Sequence, residues 1–182
     1  SYKTYLYHIL KPFHFFDWTA IYNLLETQSG KMVYAQDFFV LKDRNLLIVS
    51  KILPNENKSY FVDLENNTLN FPFEIRISNT GYINSNKSNS IFVDYDLLKF
   101  PLEIRKWKEG DVFYPIGMKG KKKLGKYFKD EKMSLIEKLN QWVLISDKQI
   151  VWIISKRQDD RFKITEKTNN KLQIIINNEK TD

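Results

Sequence analysis

The sequence predicts an α+β protein: a small helical unit with a β-meander, followed by a mixed strand barrel or curved sheet carrying short inserted helices. Three observations predict it. Apolar residues recur at helical spacing near the start, the period then changes to that of short strands, and clusters of Asn, Asp, Gly and Ser separate those strands at close intervals. With 182 residues, 42% of them hydrophobic and 15% aromatic, the chain can bury a real core, which argues against overall disorder.

Tyr2, Tyr5, Leu6, Ile9 and Leu10 repeat at three and four, predicting a first helix that Pro12 stops. Asp17 is placed as the N-cap of a second helix over residues 18–27, with Ile21, Leu24 and Leu25 on one side and Gly30 positioned to end it. Strands follow at 32–35, 38–42 and 46–50, the last two joined by a turn at Asp43, Arg44 and Asn45. These elements form one unit, residues 1–54. The polar run after Pro54 is a break by composition, and the second unit is expected over 55–182.

In that second unit strands are expected at 60–63, 73–78, 91–94 and 102–107, with turns at 55–57 and 66–68. The Asn- and Ser-rich segment 79–89 reads as a long exposed loop. A strand at 111–116 precedes the lysine-rich stretch. Ser134 followed by Glu137 is a capping box, in which hydroxyl and carboxylate satisfy each other's free backbone N–H groups, ahead of a short helix over 135–141. Strands at 142–145, 150–154, 162–165 and 172–176 complete the chain, with hairpin-type turns at 147–148 and 167–170.

Net charge is +7, and its placement is informative. Residues 1–100 hold 10 basic and 10 acidic side chains; residues 101–182 hold 19 and 12, so the excess lies in the second half. Within residues 119–132 there are seven lysines against Asp130 and Glu131. A one-sided excess of this kind points to a polyanion such as nucleic acid or a membrane surface. No apolar run approaches the roughly 20 residues that cross a bilayer, and the start lacks the order of a signal peptide. With no cysteine there is no disulfide or thiol chemistry, and the cytoplasm is the expected compartment. Ser1 stands where a methionine is usual, so the chain is expected to be a piece of a longer protein.

Gly120, Gly125 and Lys126 match the spacing of a phosphate-cradling nucleotide loop, G-x-x-x-x-G-K. The next residue of that loop must carry a hydroxyl for Mg²⁺, and here it is Tyr127; Pro115 and Gly117 interrupt the strand the loop needs before it. His8 and His14 read as surface or packing residues, and no carboxylate cluster has metal spacing, so no catalytic or metal-ligating residue is assigned. Asp159 and Asp160 beside Arg157 and Arg161 read as an ion-pair cluster at a hairpin edge. The lysines remain. Lys119, Lys121, Lys122, Lys123, Lys126 and Lys129 surround two glycines, and a short helix over 122–129 would bury Leu124 and Phe128 while turning Lys122, Lys126 and Lys129 outward. Neutralising phosphates with such lysines releases counterions and gives salt-sensitive affinity. An ordinary solvated face is the competing reading, and composition leaves the two level.

A resemblance decides between them. Arg105, Trp107, Gly110, Asp111, Phe113, Pro115, Gly117, Met118, Gly120, Lys122 and Lys123 fit the pattern R-x-W-x-x-G-D-x-F-x-P-x-G-M-x-G-x-K-K. Phe128, Trp142, Ile150, Trp152, Arg157, Arg161, Phe162 and Thr165 continue it at fixed spacings. This is similar to the C-terminal domain of the tRNA(Ile)-lysidine synthetase family. The turn Gln28-Ser29-Gly30-Lys31 and the hairpin around Asp43 and Arg44 resemble the family's middle segment; residues 55–100 match weakly.

The resemblance implies a small strand barrel with inserted helices, similar to a domain of the phenylalanyl-tRNA synthetase large subunit. It implies an enzyme that ligates lysine to the wobble cytidine of tRNA(Ile) with a CAU anticodon. ATP, Mg and L-lysine would be handled by an N-terminal domain whose Ser-Gly-Gly-x-Asp-Ser loop is absent here, leaving this chain inactive alone and without a cofactor of its own. Its part would be to hold the tRNA body and acceptor stem, with Lys119, Lys121, Lys122, Lys123, Lys126 and Lys129 on phosphates and Arg157, Arg161 and Lys163 as further contacts. Trp107, Trp142 and Trp152 are assigned to the core. Gly125-Lys126-Tyr127 replaces the family's usual serine or aspartate, so a frayed helix is expected there. A stand-alone RNA-binding adaptor and a dimerisation module, forming a homodimer, are the alternatives.

Overall fold

The computed structural model describes residues 1–52, 58–70, 73–78 and 89–177. Contacts divide the chain into two compact units, Ser1–Glu56 with Ser134–Ile136, and Asn57–Met133 with Glu137–Asp182.

In the first unit, α1 (Tyr2–Leu10) begins where the Ser1 hydroxyl accepts the Lys3 N–H at 3.3 Å. Pro12 then sits in a 3-10 turn, Lys11–Phe13, closed by a left-handed His14. Proline fits there because the first turn of a helix leaves its N–H unused. Asp17 caps α2 (Trp18–Asn23), its carboxylate accepting the Ala20 N–H at 2.9 Å. This helix is shorter than the expected 18–27: its end tightens into a second 3-10 turn, Leu24–Glu26, that stops at Thr27, and Gly30 lies beyond it. β1 (Met32–Tyr34), β2 (Phe38–Asp43) and β3 (Leu46–Lys51) form the antiparallel meander. Leu10, Phe15, Ile21, Leu24 and Val40 are its core. The apolar face of α1 is used only in part, since Tyr2, Tyr5 and Ile9 remain 57%, 73% and 64% exposed.

The second unit contains β4 (Tyr60–Val62), β5 (Thr68–Leu69), β6 (Glu74–Ser78), β7 (Ser90–Asp94), β8 (Leu102–Lys106), β9 (Val112–Phe113) and β10 (Lys122–Lys123). The helix α3 (Leu124–Asp130) follows, then α4 (Leu135–Leu139), whose first two residues count with the first unit, and then β11 (Trp142–Ser146), β12 (Gln149–Ile153) and β13 (Lys171–Asn177). Two antiparallel four-stranded sheets result, ordered β12-β11-β8-β4 and β5-β6-β13-β7. They share one core: Leu102 and Ile104 of β8 and Leu144 of β11 meet Ile75 of β6, Val93 of β7 and Leu172, Ile174 and Ile176 of β13. The inward residues alternate along β8 and recur at every second position of β13, as the pleat requires. Asp147 and Lys148 make the β11–β12 turn with both residues at positive φ.

The α+β class is as expected, but the barrel is not: among the described residues both sheets stay open. One reason is local. The strand expected at 162–165 does not form, because Asp159 accepts the Arg161 N–H at 2.9 Å and caps a 3-10 turn, Asp160–Phe162. Phe162 is buried by that turn, and Lys163 adds an isolated bridge to Val93. The loop expected at 79–89 lies outside the described residues except for Asn89, as does the turn at 55–57.

β11 is buried on both faces. Opposite the shared core, Val143 and Ile145 join Ile150 and Ile153 under Phe113 and under Leu124, Tyr127 and Phe128 of α3. The outer face of the first sheet is therefore the platform on which the lysine-rich stretch is mounted.

Candidate nucleic-acid interface

The lysine-rich stretch is a built hairpin. Phe113 of β9 stands opposite Lys122 of β10, and Val112 opposite Lys123. Between them the chain turns through Gly117 and Gly120 at φ 79° and 82°, a region that side chains disfavour. The Met118 N–H donates to the Pro115 carbonyl at 3.0 Å.

At the base of the hairpin, Arg105 of β8 donates two bonds to the Asp111 carboxylate, at 2.8 and 2.9 Å. Both side chains are 14% exposed. The same carboxylate accepts the Lys108 N–H at 2.7 Å, and the Asp111 carbonyl accepts the Leu124 N–H at 2.9 Å. A two-pronged ion pair fixes direction as well as distance, so Asp111 ties the sheet, the hairpin and the start of α3 together. Its hydrogen bond also holds the Arg105 guanidinium above its ordinary pKa, against the opposing effect of burial.

The helix α3 is regular, so the expected fraying at Gly125 is not seen. Leu124 and Phe128 are fully buried and Tyr127 nearly so. Phe128 meets Trp107 edge-on at 5.0 Å, and Phe113 meets Tyr127 at 5.2 Å. Burial pushes the Tyr127 phenol above its ordinary pKa. The nucleotide-loop reading fails here on geometry: the side chain after Lys126 lies in the core, and β9 ahead of the loop has two residues.

Lys119, Lys121, Lys123, Lys126 and Lys129 are exposed, and among the described residues none of the salt bridges involves them. Lys122 departs from the expected outward orientation. Residues 122–123 are strand and the helix starts only at Leu124, which puts Lys122 beside Phe113. Its Nζ reaches the Asp130 carboxylate at 2.8 Å and lies 5.6 Å from the Tyr127 ring centre. That hydrogen bond is the main reason the Asp130 carboxyl is held below its ordinary pKa, with the charges of Lys126 and Lys129 adding to it. A cleft of about 620 Å³ opens on this surface, with Val112, Pro115 and Met118 on its wall among the lysines.

The other basic residues are engaged. Arg157 donates to the Ile116 carbonyl at 3.2 Å, and Lys163 pairs with Asp160 at 2.8 Å. Arg161 holds Asp159 through Nε at 2.9 Å and Nη2 at 2.8 Å and covers the Tyr114 ring at 4.4 Å. Asp159 is 0% exposed and also accepts the Tyr114 N–H at 2.8 Å. The expected hairpin-edge cluster is thus a buried anchor that clamps the chain leading into the hairpin tip.

Trp152 lies in the shared core, with Trp142 and Trp107 packed against the two clusters. The Trp107 Nε1–H donates to the Lys138 carbonyl at 2.6 Å. His8 and His14 are exposed. Among the described residues no group of three or more His, Cys, Asp or Glu is placed to hold a metal ion, and no helix is long and apolar enough to cross a membrane. Sequence reasoning passed over Val112 and Met118, which are 39% and 47% exposed beside the lysines. Strand alternation against buried Phe113 carried the signal for Val112.

Fold and surface define an α+β protein with a lysine hairpin mounted on one of two stacked antiparallel sheets. Residues 1–52 match the family model of the TilS substrate binding domain. The chain is 38% identical over 181 residues to the tRNA(Ile)-lysidine synthase of Parabacteroides distasonis, covering 96% of this chain and 41% of that protein. The tRNA(Ile)-lysidine synthase of Bacteroides thetaiotaomicron is 36% identical over 148 residues, 81% of this chain and 33% of its own length. A crystal structure of the TilS C-terminal domain superposes with a TM-score of 0.53 at 18% identity, over 65% of this chain and 96% of that one, which shows a shared fold. The chain is a relative of the tRNA(Ile)-lysidine synthases, as its motifs imply, and it spans about two fifths of the length of the first of these curated relatives.

Proposed function

We propose that this chain is the tRNA-binding C-terminal part of a tRNA(Ile)-lysidine synthase, the enzyme class that ligates lysine to the wobble cytidine of a CAU anticodon using ATP. Residues 1–54 act as the substrate-binding segment and 55–182 as the domain that meets the tRNA body and acceptor stem. The observation that carries the reading is the row of exposed lysines that form no salt bridge among the described residues, on an anchored hairpin, in a chain related along nearly its whole length to these synthases.

Lys119, Lys121, Lys123, Lys126 and Lys129 contact phosphates directly. Lys122, whose charge Asp130 shares, adds only a partial contact, and Arg157, Arg161 and Lys163 contribute through whatever face their internal partners leave open. Such contacts fix the register of the RNA without reading its bases. The lysine loop does not fit an ATP site, since Tyr127 is buried where a metal-binding hydroxyl is needed. In this reading adenylation, magnesium and lysine belong to the part of the enzyme outside this chain, and the chain alone is inactive. The compartment is the cytoplasm.

Filter binding of the chain to tRNA(Ile) at a series of salt concentrations tests the reading. Affinity should fall steeply with salt, and Lys119/Lys121/Lys123→Ala should reduce the log–log slope by about 2.5, at just under one unit per phosphate contact. Salt-independent or absent binding, or an unchanged slope in the triple variant, would sink it. The exposed Tyr2, Tyr5 and Ile9 on α1 favour a second reading as a dimerisation module. Light scattering with and without tRNA separates the two: a dimer in the absence of RNA supports the second.

A further inference from the structure

The cleft on the lysine hairpin is not uniformly basic. Val112, Pro115 and Met118 line it, and Val112 and Met118 are 39% and 47% exposed. Lys119, Lys121, Lys123 and Lys126 stand around these apolar groups, and among the described residues no salt bridge includes them. At about 620 Å³ the cleft is of the size that takes small ligands, commonly about 300–1,000 Å³.

The combination does not suit an RNA duplex. In an A-form helix the base faces are stacked away, and the outside offers phosphates and 2′-hydroxyls, none of them apolar. A duplex would satisfy the lysines and leave Val112 and Met118 facing water. An unpaired nucleotide offers both chemistries at one spacing: a flat, weakly polar base for the apolar wall, and phosphates on either side for the cations. The methionine thioether suits an aromatic face in particular, because its sulfur is polarisable and its side chain adapts. The site differs in kind from a nucleotide-hydrolase loop, since the phosphates meet lysine side chains and no backbone cradle.

We propose that this cleft receives an unpaired nucleotide of an RNA strand, its base against Val112 and Met118 and its flanking phosphates on Lys119, Lys121, Lys123 and Lys126. The inference rests on the RNA-binding reading above. It makes the hairpin a reader of strand ends or bulges, where the wider lysine surface senses only backbone charge.

The test compares two hairpin RNAs, one blunt and one with a short 3′ single-stranded overhang, bound to the 182-residue chain at fixed salt, with AMP as a competitor. The overhang should tighten binding about tenfold, inside the range of about 1–3 kcal/mol that stacking one base on an aromatic side chain is worth. Met118→Ala should bring the ratio of the two affinities close to about twofold while leaving blunt-hairpin binding intact, which reports that the hairpin is still folded. AMP should compete only weakly, because a free nucleotide supplies one phosphate group where a strand supplies two. A ratio near one in the unsubstituted chain, or a ratio unchanged in Met118→Ala, overturns the proposal while the RNA-binding reading stands. Strong competition by AMP overturns the choice of an RNA strand in favour of a free nucleotide. Failure to bind either hairpin overturns both.

Discussion

The stretch 119–129 and the stretch 157–163 are both rich in cations, and the structure treats them oppositely. In the second, Asp159 and Asp160 fall between Arg157 and Lys163, and a 3-10 turn folds the acids back onto their neighbours. Arg161 is locked onto a carboxylate that is 0% exposed, and Lys163 onto Asp160. In the first, the nearest acid follows the lysines, and the strand that precedes the helix lets it reach Lys122 at 2.8 Å. The charge a surface can offer a partner is therefore set by where the acids fall relative to the turns, which a count of lysines and arginines does not reveal. One stretch uses its cations to hold the fold, the other to face outward.

The largest effect should come from the buried anchor. Asp159 accepts bonds from the Tyr114 and Arg161 backbones and from the Arg161 side chain, so Asp159→Ala strands several donors at once. A loss of about 3 kcal/mol in urea unfolding is expected, with the salt slope of RNA binding by the folded protein no lower than the parent's, because Arg161 keeps its charge. A slope lowered as far as in the lysine triple variant would erase the distinction between the two stretches. The converse experiment should show the opposite pattern. Lys119/Lys121/Lys123→Ala should stay within about 0.5 kcal/mol of the parent in unfolding, as exposed substitutions usually do, while losing much of its RNA affinity. A cooperative loss of stability there would mean that these lysines hold structure after all.

The sequence made some of this legible and hid the rest for physical reasons. Caps and turns are local chemistry, so Asp17, Pro12 and the Asp147-Lys148 turn could be read directly. The hairpin was visible as a pattern running from Arg105 to Lys123, but the job of Asp111 depends on an arginine six residues away across a strand end. The missing strand at 162–165 is a case of a local competitor winning: apolar alternation favoured a strand, and the Asp159 cap imposed a turn. Lys122 was misoriented for a related reason. Helical spacing was applied two residues too early, and a short strand reverses which side chains point inward. The two-sheet stack in place of a barrel depends on pairings such as Val62 with Leu102 and Gln173 with Ser78, far apart in the chain, which periodicity does not encode.

The smallest expected effect is also the sharpest test, because it moves one lysine from the first category to the second. Among the described residues Lys122 is the hairpin cation with a carboxylate partner, and the Asp130 carboxyl is held below its ordinary pKa chiefly by that hydrogen bond. A group whose pKa is depressed in the folded state contributes stability above its unfolded value, and the contribution fades as pH falls through the folded one. Thermal melts should therefore show the parent losing slightly more stability than Asp130→Asn as pH drops below about 4, the usual aspartate range. Near neutral pH the same substitution removes the acid that restrains Lys122. The salt slope for tRNA should then rise, by up to about 0.9 for one added phosphate contact. An unchanged slope would mean that Lys122 faces no phosphate even when freed, and that its place beside Phe113 and Tyr127 is purely structural.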